Sequence, residues 1–548
     1  MIDDEPRPPG SRLATVAALA TLAVAPLVPG ALSAGSPAAV AGLPVEAIAV
    51  VLLLLAIPAR RARIAVAAVF GALVVAAIVL GALDLAFRTT VDRPFSAADD
   101  APQLVAAVGV VADAITPAGA VAVVLALAAL LIALGTGIAA AALRVGRAAR
   151  DSGRRGRVAV ATIATAWIVA AVLGVHAVPG VPLASADAAG AIAATSSRAV
   201  ESVQAQRAFQ RALRTDAAAS LPPSSLLTAL QGKTVVFAFL ESYGRSAIEG
   251  SSFSPGVDRA LADGQAALDR AGFTAESAYL RSPTFGGVSW LAHSTLQSGV
   301  WIDSQQKYDQ LTTTDRLTLA RAFGDAGWRT VDVVPSNKEP WAVGTSFYRY
   351  DEVLDSRNLG YRGPAFSYAR VPDQFTWQAF HDRELTPGHA PLMAEIDFVS
   401  SHTPWTPLPS LVPWSDLGDG SLFAAQAAAG EPPVVAWQDP ARVRQLYGQS
   451  VRYTLGALFS FLETCGTDDL VLVVLGDHQA ARVVSGARAN HDVPVTVIAK
   501  DPGVFARIAG WGWDAGVRPS SDAPVWPMDA FRDRFLAAFS PEAGLALR

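Results

Sequence analysis

Five apolar stretches crowd into the first third of this chain: Leu13 to Leu32, Val40 to Ile57, Ile64 to Phe87, Ala118 to Leu143 and Val158 to Val178. Each is close to or beyond the roughly 20 residues an α-helix needs to cross a bilayer. In hydrocarbon a segment must satisfy its backbone N–H and C=O groups internally, so such stretches fold as helices. Val40 to Ile57 is the weakest, because Pro44 and Glu46 interrupt its start. The first stretch could pass for a signal peptide ending near Ala34, but Asp3, Asp4 and Glu5 before it carry the wrong sign. Leu104 to Ile115 is too short to span and contains Asp113, so it is expected at the interface or against the bundle.

Arginine placement sets the expected orientation. Arg60, Arg61 and Arg63 lie between the second and third stretches, and Arg144, Arg147, Arg150, Arg154, Arg155 and Arg157 between the fourth and fifth. The longer connection from Arg88 to Pro117 carries Asp99, Asp100 and Asp113 instead. The positive-inside rule puts both arginine loops in the cytoplasm. Five spans then give a cytoplasmic amino terminus, and everything after about Ala184 lies outside the plasma membrane. Asp84 and Glu46 fall near outer ends, where hydration accounts for them better than a substrate path. The expected organisation is a transmembrane domain over 1–184, a helical connector over 185–231 broken by Pro222 and Pro223, and a soluble domain over 232–548. A net charge of -5 gives no basic surface for nucleic acid. The single cysteine, Cys465, rules out an intramolecular disulfide, leaving the core and a metal as the available braces.

From Lys233 onward, strand-like and helix-like segments alternate. Thr234 to Leu240, Phe273 to Tyr279, Trp328 to Val334, Pro391 to Val399, Leu470 to Leu475 and Val493 to Ala499 read as strands. Asp258 to Ala271, Asp315 to Ala326 and Gln445 to Glu463 read as helices. This alternation predicts a mostly parallel sheet covered on both faces. Ligands in such folds bind beyond the carboxyl ends of strands. There Glu241 follows one strand, His402 another, and Asp477-His478 a third, while His491 precedes a fourth. The chain has 7 histidines, and three of them stand at strand edges. Carboxylate oxygen with imidazole nitrogen suits a zinc- or manganese-type cation and disfavours magnesium.

The segment Ser282-Pro283-Thr284-Phe285-Gly286-Gly287-Val288-Ser289-Trp290 suits a tight strand-to-helix turn. Such a turn can present a hydroxyl at the mouth of a site, with backbone N–H groups free at the helix start. Ser282, Thr284, Ser289, His293 and Ser294 are rival candidates, and spacing does not choose among them.

Together these residues resemble the alkaline phosphatase/sulfatase superfamily, and within it the membrane-anchored branch containing lipoteichoic acid synthase and the phosphoethanolamine transferases. The resemblance in motifs covers Val235 to Ala499, and Pro524 to Phe535 also looks typical. It implies a five-helix transmembrane bundle followed by an extracellular α/β sulfatase-like domain. It implies one divalent metal ion, Mn2+ or Zn2+, held by Glu241, Thr284, Asp477 and His478. Thr284, in Thr-x-x-x-Val-Ser, matches the transferases' nucleophile, and His402 and His491 match their substrate-facing histidines. Trp405, just after His402, is a candidate to pack on a sugar or glycerol unit. The implied activity is phosphotransfer from a membrane phospholipid, phosphoglycerol- or phosphoethanolamine-bearing, to a glycolipid or cell-wall polymer through a phospho-threonine. Hydrolysis with water as acceptor shares its first step, and a non-enzymatic envelope ectodomain is the other alternative. Two departures matter. The Cys/Ser-x-Pro-x-Arg motif of formylglycine sulfatases is absent, since Pro283 directly follows Ser282. The Asp-x-x-x-His of two-metal relatives also fails, because Asp397 lies one residue too far from His402, so a single cation is expected and Asp397 is read as structural.

Overall fold

The computed structural model describes residues 9–97, 99–100, 116–386 and 388–541. They form two compact units, Met1–Ala205 and Gln206–Arg548. The stretch Leu104 to Ile115 lies outside the described residues.

In the first unit, helix α1 (Pro9–Val24) runs through a single 3-10 turn into a further helical segment, Val28–Ala34. Pro26 has no N–H to continue the α pattern there. Next come α2 (Val45–Ala56), α3 (Arg60–Thr90), α4 (Pro117–Asp151), α5 (Gly153–Leu173) and α6 (Asp187–Arg214). Among the described residues, four helical segments are long and apolar enough to cross a membrane: Arg12–Ala34, Arg60–Thr90, Ala118–Asp151 and Gly153–Leu173. The second expected span folds as the 12-residue α2, about 18 Å long at 1.5 Å per residue and short of a hydrocarbon core. Helices α3 and α4 meet at small residues, and a Cβ on Gly71 would lie 2.3 Å from the Gly135 carbonyl oxygen. Asp84 is not left to hydration: it is buried and ion-paired with Arg88 at 2.8 Å and Arg198 at 3.4 Å. Glu46 accepts the Ala189 N–H at 2.9 Å.

The second unit is built on a nine-stranded sheet. Its strands are β1 (Thr234–Leu240), β2 (Thr274–Arg281), β3 (Arg329–Val334), β4 (Glu352–Asp355), β5 (Leu392–Phe398), β6 (Leu470–Gly476), β7 (Asp492–Ala499), β8 (Asp514–Ala515) and β9 (Val525–Pro527). The order is β8-β2-β7-β6-β1-β5-β3-β4, with β9 against β2. The block β6-β1-β5-β3-β4 is parallel throughout. Beyond β6 the direction changes: β7 runs antiparallel to β6 and to β2. The sheet is therefore mixed, a parallel block with antiparallel pairings beyond β6. The connection from β6 to β7 holds only the short helix Arg482–Ser485, and β7 returns antiparallel beside β6.

Alternate residues of β1 enter opposite faces, as the period of a strand requires. Val236, Ala238 and Leu240 pack with α7 (Ser254–Ala271), α9 (Asp373–Glu384) and α10 (Pro440–Cys465). Val235, Phe237 and Phe239 pack with α8 (Ser289–Ser298), Leu319–Asp325 and α11 (Phe531–Phe539). The Asp439 side chain caps α10 by accepting the Ala441 N–H at 2.8 Å, ahead of Pro440 at the first helical position. Register aligns Gly476 with Leu240 and Leu240 with Phe398, so the exits of β6, β1 and β5 lie side by side.

Candidate metal and catalytic centre

At the end of β6 the chain needs glycine. A Cβ on Gly476 would stand 1.9 Å from the Tyr243 carbonyl oxygen. Asp477 follows directly. Its Oδ1 accepts the N–H groups of Ser242, at 2.7 Å, and His478, at 2.6 Å. Its Oδ2 is buried with no hydrogen-bond partner among the described residues. His478, 1% exposed, has Nδ1 2.9 Å from the Gln479 carbonyl oxygen. A carbonyl accepts and cannot donate, so Nδ1 carries the proton and Nε2 presents a lone pair. Glu241 leaves β1 with its N–H donating to the Phe398 carbonyl at 3.0 Å. Its Oε1 accepts from Ser242 Oγ at 2.8 Å.

Ser289 completes this group. It opens α8, after Val288 at φ +60°, a left-handed conformation rare for a β-branched residue. Ser289 Oγ lies 3.0 Å from Glu241 Oε2 and 3.1 Å from His478 Nε2. His478 Nε2 lies 3.5 Å from Glu241 Oε1 and 3.4 Å from Asp477 Oδ2. One hydroxyl proton thus faces two carboxylates and an imidazole lone pair. Glu241, Asp477 and His478 offer ligand atoms within 4.8 Å of one another. Ligands about 2.1 Å from a four-coordinate ion lie about 3.4 Å apart, close to the spacings seen here. The excess of lone pairs, the orphaned Asp477 oxygen and the donor set all fit a divalent cation of the zinc or manganese kind.

The electrostatics agree with that reading. Burial pushes Glu241 up, but the His402 and His478 imidazoles and the Ser242 hydroxyl outweigh it and hold the carboxyl at about 2. Burial and the adjacent Glu241 charge push Asp477 up to about 6.

The remaining expected residues fall in different places. Thr284 is buried beside the group, with its N–H donating to Ser282 Oγ at 3.2 Å and its own hydroxyl 3.4 Å from that oxygen. Ser282 Oγ in turn donates to the Asp477 carbonyl at 2.6 Å. The Thr284 segment is thus a strut, fixed further by the Gly286 N–H donating to the Gln479 carbonyl at 2.9 Å. His402 lines a cavity of about 460 Å³ together with Glu241, Ser289, Asp477 and Tyr368, whose ring it stacks on at 3.6 Å. His491 instead packs on Phe285 at 5.3 Å, and its carbonyl accepts the Ser282 N–H. Trp405 is 2% exposed, stacked 5.7 Å from Trp437, with Nε1 donating to the Ser401 carbonyl at 2.6 Å. It is a core residue and presents no face to a substrate, a correction to the expected role.

A second group joins residues that the sequence reading kept apart, His293 as a rival candidate at the turn and Asp397 as structural. His293, four residues after Ser289 on α8, stacks on Phe239 at 3.8 Å. Its Nδ1 lies 3.4 Å from Glu395 Oε1 and 3.3 Å from Asp397 Oδ1. Asp332 on β3 is in register with Glu395 on β5. The available signal was Asp332 within β3 and the pair Glu395 and Asp397 within β5.

No family model matches the chain, and no curated protein matches it. Among solved structures, a protein in the alkaline phosphatase superfamily from Vibrio parahaemolyticus is 17% identical, covering 58% of this chain and 70% of its own, with a TM-score of 0.38. The integral membrane lipooligosaccharide phosphoethanolamine transferase A from Neisseria meningitidis is 12% identical, covering 96% of this chain and 95% of its own, with a TM-score of 0.42. The phosphoglycerol transferase GacH from Streptococcus pyogenes, in complex with sn-glycerol-1-phosphate, is 11% identical, covering 61% and 80%, with a TM-score of 0.36. The chemistry rests on the geometry of the site itself.

Proposed function

We propose that this chain is a membrane-tethered phosphotransferase of the alkaline phosphatase superfamily. It moves a phosphoglycerol or phosphoethanolamine head group from a membrane phospholipid to a glycolipid or cell-wall polymer, through a covalent intermediate on Ser289. The observation that carries this reading is Ser289 Oγ at 3.0 Å from Glu241 and 3.1 Å from His478. The nucleophile role, and the fourth ligand position with it, pass from Thr284 to Ser289.

Glu241, Asp477, His478 and Ser289 would hold a divalent cation, Mn2+ or Zn2+, whose charge favours the serine alkoxide and offsets charge on the phosphoryl group in the transition state. Ser289 attacks phosphorus from the amino end of α8, where the helix dipole favours negative charge. His402, facing the same cavity, protonates the departing diacylglycerol oxygen. In the second half-reaction it takes the proton of the acceptor hydroxyl, whose oxygen bonds to phosphorus as the Ser289 Oγ–P bond breaks and frees the serine. A membrane anchor that places the soluble unit outside the plasma membrane belongs to this proposal. It holds the soluble unit at the outer leaflet, where head groups are at high effective concentration.

The test uses the full-length protein with fluorescent phosphatidylglycerol and phosphatidylethanolamine. Ser289→Ala is expected to lower turnover by roughly a thousandfold or more, as loss of a nucleophile does elsewhere. Thr284→Ala should stay within about tenfold, since it removes a supporting contact. Mass spectrometry should find the head-group phosphate on the Ser289 peptide. The reverse order of effects returns the nucleophile to Thr284, and release of free head-group phosphate without acceptor marks a hydrolase.

A further inference from the structure

We propose a second divalent-cation site, built by His293, Glu395 and Asp397, whose ligand atoms lie within 4.8 Å of one another, with Asp332 beside them, beneath the same cavity and separate from the Glu241 group. Four observations converge on it. First, the sheet register places Asp332 beside Glu395, and Asp397 follows two residues later on the same face of β5. Three carboxylates therefore share one patch of sheet under α8. Second, Asp332 is 2% exposed and its Oδ2 has no hydrogen-bond partner among the described residues, while the residue lines the cavity together with His293, Glu395 and Asp397. A buried carboxylate oxygen without a donor is costly unless an ion meets it. Third, Glu395 is oriented from behind. Its Oε2 accepts from Tyr350 Oη at 2.9 Å and from Gln297 Nε2, which turns Oε1 toward His293. Ligating carboxylates are held by outer partners in this way. Fourth, the His293 nitrogen stands 3.4 and 3.3 Å from two carboxylate oxygens. That is about the edge between neighbouring ligands on an ion with bonds of about 2.1 Å.

One imidazole against three carboxylates leaves this group short of positive charge even when His293 is protonated. Oxygen-rich donors with one imidazole suit Mn2+ or Zn2+. The assignment revises the expected single cation. The Asp397-to-His402 spacing excludes an Asp-x-x-x-His site, whereas the imidazole here comes from α8. It does not depend on the chemistry proposed for Ser289.

The experiment is a count of bound ions on the full-length protein in detergent. The protein is stripped with chelator and equilibrated by dialysis against Mn2+ alone, then against Zn2+ alone, with elemental analysis. Two ions per chain are expected, falling to one in Glu395→Gln, in Asp332→Asn and in Glu241→Gln. The proposal is overturned if the unmodified protein binds one ion that Glu395→Gln keeps and Glu241→Gln loses, since His293 as an imidazolium then suffices. It is equally overturned if the unmodified protein binds two and both Glu395→Gln and Asp332→Asn retain two. The opposite single-ion pattern, lost in Glu395→Gln and kept in Glu241→Gln, leaves this site standing and sinks the metal reading of the first. Circular dichroism checks each variant's fold. If a variant fails to fold, anomalous scattering from Mn2+ in crystals of the unmodified protein decides: a peak among these four residues supports the site, and none there overturns it.

Discussion

Ser289 and Thr284 stand five residues apart, and their surroundings separate them by chemistry. One hydroxyl faces lone pairs of two carboxylates and an imidazole, and the other braces the loop that carries it. Replacing Glu241 by Gln keeps the shape and removes the charge. It should weaken metal binding by roughly 100-fold or more, beyond the usual loss from a supporting residue, as read by elemental analysis and calorimetry. Trp405→Ala should act on stability and leave the reaction alone. Truncating a buried tryptophan costs about 3–5 kcal/mol, measurable as a shift in the denaturation midpoint, with KM of the folded protein unchanged. Residue identity at strand exits was legible: Glu241, Asp477 and His478 could be picked out because polar groups that end apolar runs have few other reasons to be there. The hydroxyl was not legible. The choice among Ser282, Thr284 and Ser289 turns on Val288 taking a positive φ, which no spacing encodes.

At the level of elements, the long apolar strands and amphipathic helices were readable from their periodicities, with ends within a few residues. Thr234–Leu240 and Leu470–Gly476 emerge almost as expected. Strand direction was not readable, because β7 has the same valine-rich, doubly buried composition whether it runs with β6 or against it. Short elements such as Glu352–Asp355 carry too few residues for a pattern. Gly476 is where an element becomes a site. Gly476→Ala forces a methyl group against the Tyr243 carbonyl. It should cost about 1–3 kcal/mol or more in stability, as overpacking does, and reduce metal content together with it. Loss of stability with full metal retention would show that β1 and β6 shift as one body and carry their ligands along.

For the chain as a whole, buried carboxyls set a stability profile. Burial pushes Asp373, Asp397 and Asp477 up to about 6, 7 and 6. A carboxyl raised in the folded state binds its proton there more tightly than in the unfolded chain. Its contribution is present at about pH 4 and is lost as pH rises through 6 to 7. Glu241, held down at about 2, acts oppositely, and only below its ordinary range. The metal-stripped protein should therefore melt higher at pH 5 than at pH 7, and Mn2+ or Zn2+ should raise the melting temperature most at pH 7. A flat apo profile between those values would contradict the burial argument. The lone Cys465 makes orientation measurable too. In a Cys465→Ser background, Ser410→Cys should react with an impermeant maleimide on intact cells, and Ser152→Cys after permeabilisation; the reverse would invert the topology.

The ten residues of α8 carry Ser289 at one turn and His293 at the next. A helix turns as a rigid rod, so a twist that withdrew the hydroxyl from one cluster would drag the imzidazole out of the other. Adding or deleting one residue between them would swing the two side chains about 100° out of phase. The spacing of four is thus a gear ratio, and the two clusters can be engaged or disengaged together but not one at a time by any motion of that rod.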